Sequence, residues 1–107
     1  MMPEMYDYQF EELESKVLDW SADRKILTNS TSAVQLMKAM TEMGELMDAE
    51  LKNHMPGITD GVGDVLVCLI NYCAIRGTNV VDCLDAAYEE IKDRKGTLMP
   101  NGVFVKE

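Results

Sequence analysis

Aromatic side chains are scarce in this sequence. Two Phe, four Tyr and one Trp make up 7% of its 107 residues, against 47% hydrophobic residues in all. A core drawn from this pool is aliphatic and rich in methionine, of which there are nine, and that suits helix packing better than a β-sandwich. His54 is the only histidine, and Cys68, Cys73 and Cys83 form no C-x-x-C pair, which argues against a zinc site. An odd cysteine count without secretory features fits a reducing cytosol, where a buried thiol acts as a small hydrophobe. The stretch from Met1 to Gln9 lacks the basic and apolar regions of a signal peptide, and the longest apolar run, Val65 to Ile70, is too short to span a bilayer. The expectation is a soluble, cytoplasmic protein with no membrane partner. Basic residues are also few, ten against nineteen acidic ones, for a net charge of -9. Such a surface repels DNA and RNA. It can still hold a phosphorylated small molecule if divalent cations stand between carboxylates and phosphates.

At this length there is room for one domain, residues 1–107, so a full active site must come from a few helices or from a homo-oligomer. From about Pro3 to Ala22, Met5, Phe10, Leu13, Val17 and Trp20 recur at three- and four-residue steps among charged residues, the pattern of an amphipathic helix. Thr28 to Ser32 reads as a loop of capping residues. Ser32-Ala33-Val34-Gln35 has capping-box spacing and opens a second helix that runs to about Lys52. Asn53 to Gly57 reads as a break, because Pro56 disfavours helical geometry in the residue before it. A third helix then runs from near Ile58 to near Gly77. Thr78 or Asn79 caps a fourth, with Asp82 near its start, Lys92, Arg94 and Lys95 near its end, and Gly96 as its stop. Pro100-Asn101-Gly102 followed by Val103-Phe104-Val105 reads as a turn and a short extended segment. The expected architecture is all-α, a four-helix antiparallel bundle with a short extended tail, completed by oligomerisation.

Chemistry is concentrated on the second and third predicted helices. Gln35, Lys38, Glu42 and Glu45 fall at steps of three, four and three and share one stripe. Taken alone, that stripe reads as a solvated face with a Lys38–Glu42 pair. The third helix weighs against so plain a reading, because Asp64 lies in the segment Gly61-Val62-Gly63-Asp64-Val65-Leu66-Val67, apolar on nearly every side and therefore expected to be buried. An ionised carboxylate there loses hydration and requires a cation or strong donors. Asp60 lies one turn earlier, where the helix dipole alone could account for it, and Asn71 lies about two turns later. Acid pairs on successive antiparallel helices converge and repel unless metal neutralises them, and oxygen ligands favour Mg²⁺ or Mn²⁺. Gly44, Gly61 and Gly63 beside these acids are expected to let backbones approach closely, each at a cost of about 1 kcal/mol in a helix.

Lys38, the Glu42-x-x-Glu45 pair, the Gly61-Val62-Gly63-Asp64-Val65-Leu66 segment and Glu90-Ile91-Lys92-x-Arg94 together resemble the MazG-like branch of the all-α nucleoside triphosphate pyrophosphohydrolases, over roughly Gln35 to the C-terminus. The ending, Ile91-Lys92-Asp93-Arg94-Lys95-Gly96 and Gly102-Val103-Phe104-Val105-Lys106, is similar to compact bacterial and phage versions. The resemblance implies a MazG fold and a hydrolase acting on acid anhydrides, cleaving a (deoxy)nucleoside triphosphate to monophosphate and pyrophosphate for nucleotide-pool clearance. It implies Mg²⁺, with Mn²⁺ as a substitute, held by Glu42, Glu45 and Asp64. Gly61 stands where the family carries its third acid, and Asp60 is the nearest replacement. Catalysis falls on Glu45 as base, with Glu42 and Lys38. Lys38 and Asn71 match positions that contact phosphate or sugar. Lys92, Arg94 and Lys95 would reach the triphosphate from another helix or subunit, or else simply complement a helix end. Trp20 would stack on a base, although a lone Trp at helical spacing more often fills a core. Met37, Met40, Met43 and Met47 read as packing or oligomer contacts in a homodimer or homotetramer. The competing expectation is an inactive helical module that binds nucleotide or protein.

Overall fold

Local signals account for most helix boundaries. In the computed structural model, which describes residues 9–107, α1 spans Phe10–Asp23, with Glu11 and Glu12 placed favourably in its first turn. The earlier part of the predicted helix, Pro3 through Tyr8 with Met5, lies outside the described residues. Lys25 takes a left-handed conformation, φ 63°, and reverses the chain into a single turn, α2, at Ile26–Asn29. That turn extends as far as Asn29, into the start of the stretch Thr28 to Ser32 that the sequence suggested was a loop of capping residues.

The long α3, Ser32–Leu51, is capped one residue earlier than the capping-box spacing implied: the Thr31 hydroxyl accepts from the Val34 N–H at 3.1 Å. Gln35 does not close a capping box. Its side chain turns inward instead, donating to Ser30 Oγ at 3.0 Å. The next helix, α4, spans Met55–Arg76 and so begins before Ile58. Pro56 starts the helix rather than breaking it, because a first-turn residue has no helical partner for the N–H that proline lacks. The helix ends at Gly77, φ 82°, with the Thr78 N–H returning to the Cys73 carbonyl at 2.8 Å.

Asn79 caps α5, Val80–Ile91, by accepting from the Asp82 N–H at 2.8 Å. Gly96 is not the stop of that helix. It opens β1, Gly96–Leu98, which pairs antiparallel with β2, Phe104–Lys106, in the register Gly96↔Lys106, Thr97↔Val105, Leu98↔Phe104. The chain is thus mostly helical, with five helices among the described residues and one small hairpin.

The centre of the molecule is the α3–α4 pair, joined by residues 52–54 and packed along their length. α1 and α2 lie against α4, and α5 touches it only narrowly. The core is thin: Ala39, Ala49, Val65, Cys68, Ile70 and Cys73 are its buried apolar residues. A radius of gyration of 16.3 Å exceeds the ~13 Å expected of a chain this long, so much apolar surface stays outside. α4 is accordingly not buried all round; Val62 and Leu66 reach solvent. By length and hydropathy α4, 22 residues, would suffice to cross a membrane, which the unbroken run Val65 to Ile70 did not suggest. Here it packs on α3 and carries Asp60 and Asp64.

Candidate acidic site between α3 and α4

The close packing of α3 on α4 is enabled at one residue. A Cβ on Gly61 would lie 3.0 Å from Leu46 Cβ and 3.2 Å from Leu46 Cα, so the helices approach closely there and any larger side chain crowds Leu46. The expectation of close approach at Gly44 and Gly63 is not met, because a Cβ there meets nothing within 4 Å. The acid that the resemblance places at position 61 would require Leu46 to give way.

This contact sets four carboxylates around the seam. On α3, Lys38 Nζ lies 3.5 Å from Glu42 Oε1, and the Glu42 side chain is largely covered, at 13% exposure. Glu42 and Glu45 stand on the same stripe of α3. Carboxyl–carboxyl hydrogen bonding with Glu42, then the Glu42 charge, and after these burial and the Asp64 charge, raise the pKa of Glu45, while Lys38 pulls it down. On α4, Asp64 is half-buried, one turn from exposed Asp60. The Asp64 pKa is raised by desolvation first, then by the charges of Asp60 and Glu42 and by hydrogen bonding with Asp60, with Lys38 again opposing. Each acid pair therefore feels the other across the seam, and the Lys38 charge opposes the shift in both Glu45 and Asp64.

Asp64 also opens on a cleft of about 360 Å³ between α1 and α4, lined by Leu13, Lys16, Val17, Trp20 and Val67. Trp20 is not the core residue its helical spacing suggested. It is 45% exposed, with the Arg24 guanidinium 4.5 Å from its ring centroid. Cys68 is buried, as its apolar surroundings in the sequence suggested: it is 2% exposed, and burial together with the Glu42 and Asp64 charges pushes its thiol pKa up.

The remaining candidates are placed differently. Asn71 is 3% exposed and its amide is engaged on both sides. Its Oδ1 accepts from the fully buried Ser21 hydroxyl at 2.6 Å, and its Nδ2 donates to Gln35 Oε1 at 3.5 Å. It is a polar bolt through α1, α3 and α4. Lys92 pairs with Glu89 at 2.6 Å and Arg94 with Glu90 at 3.7 Å, beyond the end of α5. A single chain does not bring them, or Lys95, into the group of charges acting on Glu45 and Asp64. Asp64 precedes the end of α4 by roughly 18 Å of helix rise, and among the described residues the main helical contact of α5 is with α4. Met37, Met40, Met43 and Met47 pack inside nothing; all are more than half exposed.

All four acids offer oxygen ligands, the donor chemistry of a hard divalent cation. Among the described residues, however, no three Asp, Glu, His or Cys side chains are already gathered as a metal ligand set. The acids stand as two pairs, one on each helix. Comparison with known proteins adds little. No family model and no solved structure matches. An uncharacterized 18.2 kDa protein in the rep-hol intergenic region of Haemophilus phage HP1 is 33% identical over 60 residues, 56% of this chain and 37% of that protein. The chain thus spans little more than a third of that relative, whose description carries no activity.

Proposed function

We propose that this chain is a Mg²⁺-dependent hydrolase of the MazG-like type, converting a (deoxy)nucleoside triphosphate to monophosphate and pyrophosphate in the cytoplasm as a homo-oligomer. The observation that carries the reading is the seam itself. Two carboxylate pairs from facing helices lie within range of each other's charge, offset by one lysine, beside an apolar cleft that ends at Asp64. Like charges held this close are an unfavourable arrangement for stability alone, and a cation relieves it.

Glu42, Glu45, Asp64 and Asp60 would hold Mg²⁺, or Mn²⁺ in its place. The bound ion supplies charge neutralisation at the phosphates and an acidified water. Glu45 has the character of a base: its raised pKa strengthens it as the acceptor of the water proton. The water oxygen bonds to the α-phosphorus as the bond to the bridging oxygen breaks, and that oxygen leaves with pyrophosphate. Lys38, on the same stripe as Glu42, would meet the phosphate charge, and Trp20 would stack on the base in the cleft. Asn71 would serve by holding three helices in place. Lys92, Arg94 and Lys95 would act only from a second subunit.

Gly61 favours a second reading, an inactive module that binds nucleotide or protein, since glycine stands at the position of the family's third acid and Leu46 crowds any side chain there. The two separate in one assay: a panel of NTPs and dNTPs with Mg²⁺ or Mn²⁺, with pyrophosphate measured apart from orthophosphate. Pyrophosphate release that Glu45→Gln lowers by about 100-fold or more supports the hydrolase. Metal-dependent nucleotide binding without product supports the inactive module.

A further inference from the structure

The C-terminal hairpin is well formed yet unsupported by the rest of its chain. Two-stranded hairpins are marginal alone, and this one compensates internally. Gly96 leaves room for the Phe104 ring, whose Cε2 and Cζ would lie 2.7 Å from any Cβ at position 96. An aromatic ring covering a glycine across the strands is a known means of rigidifying such a pair. The turn is held by the Met99 N–H donating to the Val103 carbonyl at 2.8 Å and by Asn101 Oδ1 accepting from the Val103 N–H at 3.1 Å. Among the described residues the hairpin packs on no helix to any substantial extent. Leu98, Val103, Phe104 and Val105 are 52–69% exposed.

Charge is divided along the chain in the same way. Residues 92–107 hold Lys92, Arg94, Lys95 and Lys106 against Asp93 and Glu107, while the preceding 91 hold six Lys and Arg against seventeen Asp and Glu. The C-terminal segment is therefore net +2 on a body of net −11. Lys95 and Lys106, at the base of the hairpin, make no ion pair among the described residues.

We propose that the hairpin is an arm by which one copy of this chain grips a second, inserting its apolar strands into the groove between α1 and α4 of that copy. The groove has a volume of about 300 Å³ and is lined by Phe10, Leu13, Leu66 and Ile70, with Glu14 at its side. Glu14 is the acid that lines it; on the first turn of α1, Glu11 lies to one side of this face and Glu12 on the opposite side of the helix. A basic, apolar arm and an apolar groove with Glu14 at its side, on a body of net −11, are complementary, and reciprocal exchange about a two-fold axis closes the assembly. The groove adjoins the cleft at Asp64, with which it shares Leu13, Val17 and Val67; beyond that the proposal shares with the function proposed above only the expectation of an oligomer. Its test contains no nucleotide, so loss of one reading leaves the other standing.

Sedimentation of the full chain should give a dimer. Lys95→Glu with Lys106→Glu should weaken it by about tenfold or more, as should Leu98→Asp with Val105→Asp. All four positions are exposed, so helical circular dichroism should persist. Adding Glu11→Lys and Glu14→Lys to the lysine reversals should restore the dimer. Independently of any variant, amides in residues 97–105 should exchange more slowly at hundreds of micromolar than at low micromolar concentration. A chain that stays monomeric, arm variants with unchanged dimer affinity, or Met40→Glu dissociating a dimer that the arm variants leave intact would each overturn the proposal.

Discussion

The buried amide at Asn71 makes a sharp test of how the helices are held. Ser21→Ala removes the hydroxyl that donates to Asn71 Oδ1 at 2.6 Å, at a site where Ser21 is 0% and Asn71 3% exposed. Water cannot readily replace that donor, so the carbonyl is left buried and unsatisfied, at a cost of about 1–3 kcal/mol. Asn71→Ala also strands the Ser21 hydroxyl and loses the 3.5 Å bond to Gln35, whose amide keeps its bond to Ser30. The expected loss is about 2–4 kcal/mol. Since both variants break the same bond, the double variant should cost less than their sum, with a coupling of about 1 kcal/mol. For a domain of this size about 1 kcal/mol moves Tm by 4–8 °C, so Ser21→Ala should melt roughly 4–24 °C lower. The measurement is urea and thermal denaturation followed by circular dichroism at one fixed protein concentration, because association would make Tm depend on concentration. A Ser21→Ala variant within about 0.5 kcal/mol of the parent, or a coupling near zero, refutes the argument. If Asn71 instead meets substrate, Asn71→Ala would raise KM while Ser21→Ala changed nothing.

Packing at the α3–α4 contact predicts opposite signs for two glycines. Gly61→Ala, meeting Leu46 at 3.0 Å, should destabilise by about 1–3 kcal/mol. Gly44→Ala, in open space on α3, should stabilise by about 0.5–1 kcal/mol; denaturant midpoints report both. In the absence of divalent cation, thermal stability should fall as pH rises. Glu45 and Asp64 have folded pKa values raised above their ordinary 4.5 and 3.8, so the folded state binds more protons than the unfolded one across that window. Their contribution is fully present below the ordinary values and is lost as pH passes through the raised ones. Melting across that pH range with and without Mg²⁺ should show the ion flattening the decline, and an unchanged slope would count against a cation at the seam. Asp64→Asn should raise cation-free stability at neutral pH and remove the Mg²⁺-induced increase in Tm.

Helix number and place were largely legible because apolar repeats and caps are local. The α1 and α3 stripes, the Asn79 cap and the turn at residues 99–102 all follow from neighbours within a few residues. Boundaries failed where two local signals competed. Pro56 served as a start rather than a break, Thr31 took the cap that Ser32 was expected to hold, and Gly96 was claimed by a strand whose partner lies eight residues on.

The candidate site divides along the same line. The stripe of Lys38, Glu42 and Glu45 and the pair Asp60 and Asp64 could be written from helical spacing, since one turn of helix dictates which side chains are neighbours. Whether the two sets meet depends on how near α3 comes to α4. That is decided by the missing side chain of Gly61 against Leu46, a contact between residues fifteen apart. Long-range packing likewise turned Asn71 inward to Ser21, left Trp20 half outside, and kept Lys92 and Arg94 with their own helix. The sequence by itself determined which residues share a helix face, because that needs only backbone geometry. Tertiary structure alone decided which faces touch and which stay open, because that depends on the fit of surfaces distant along the chain.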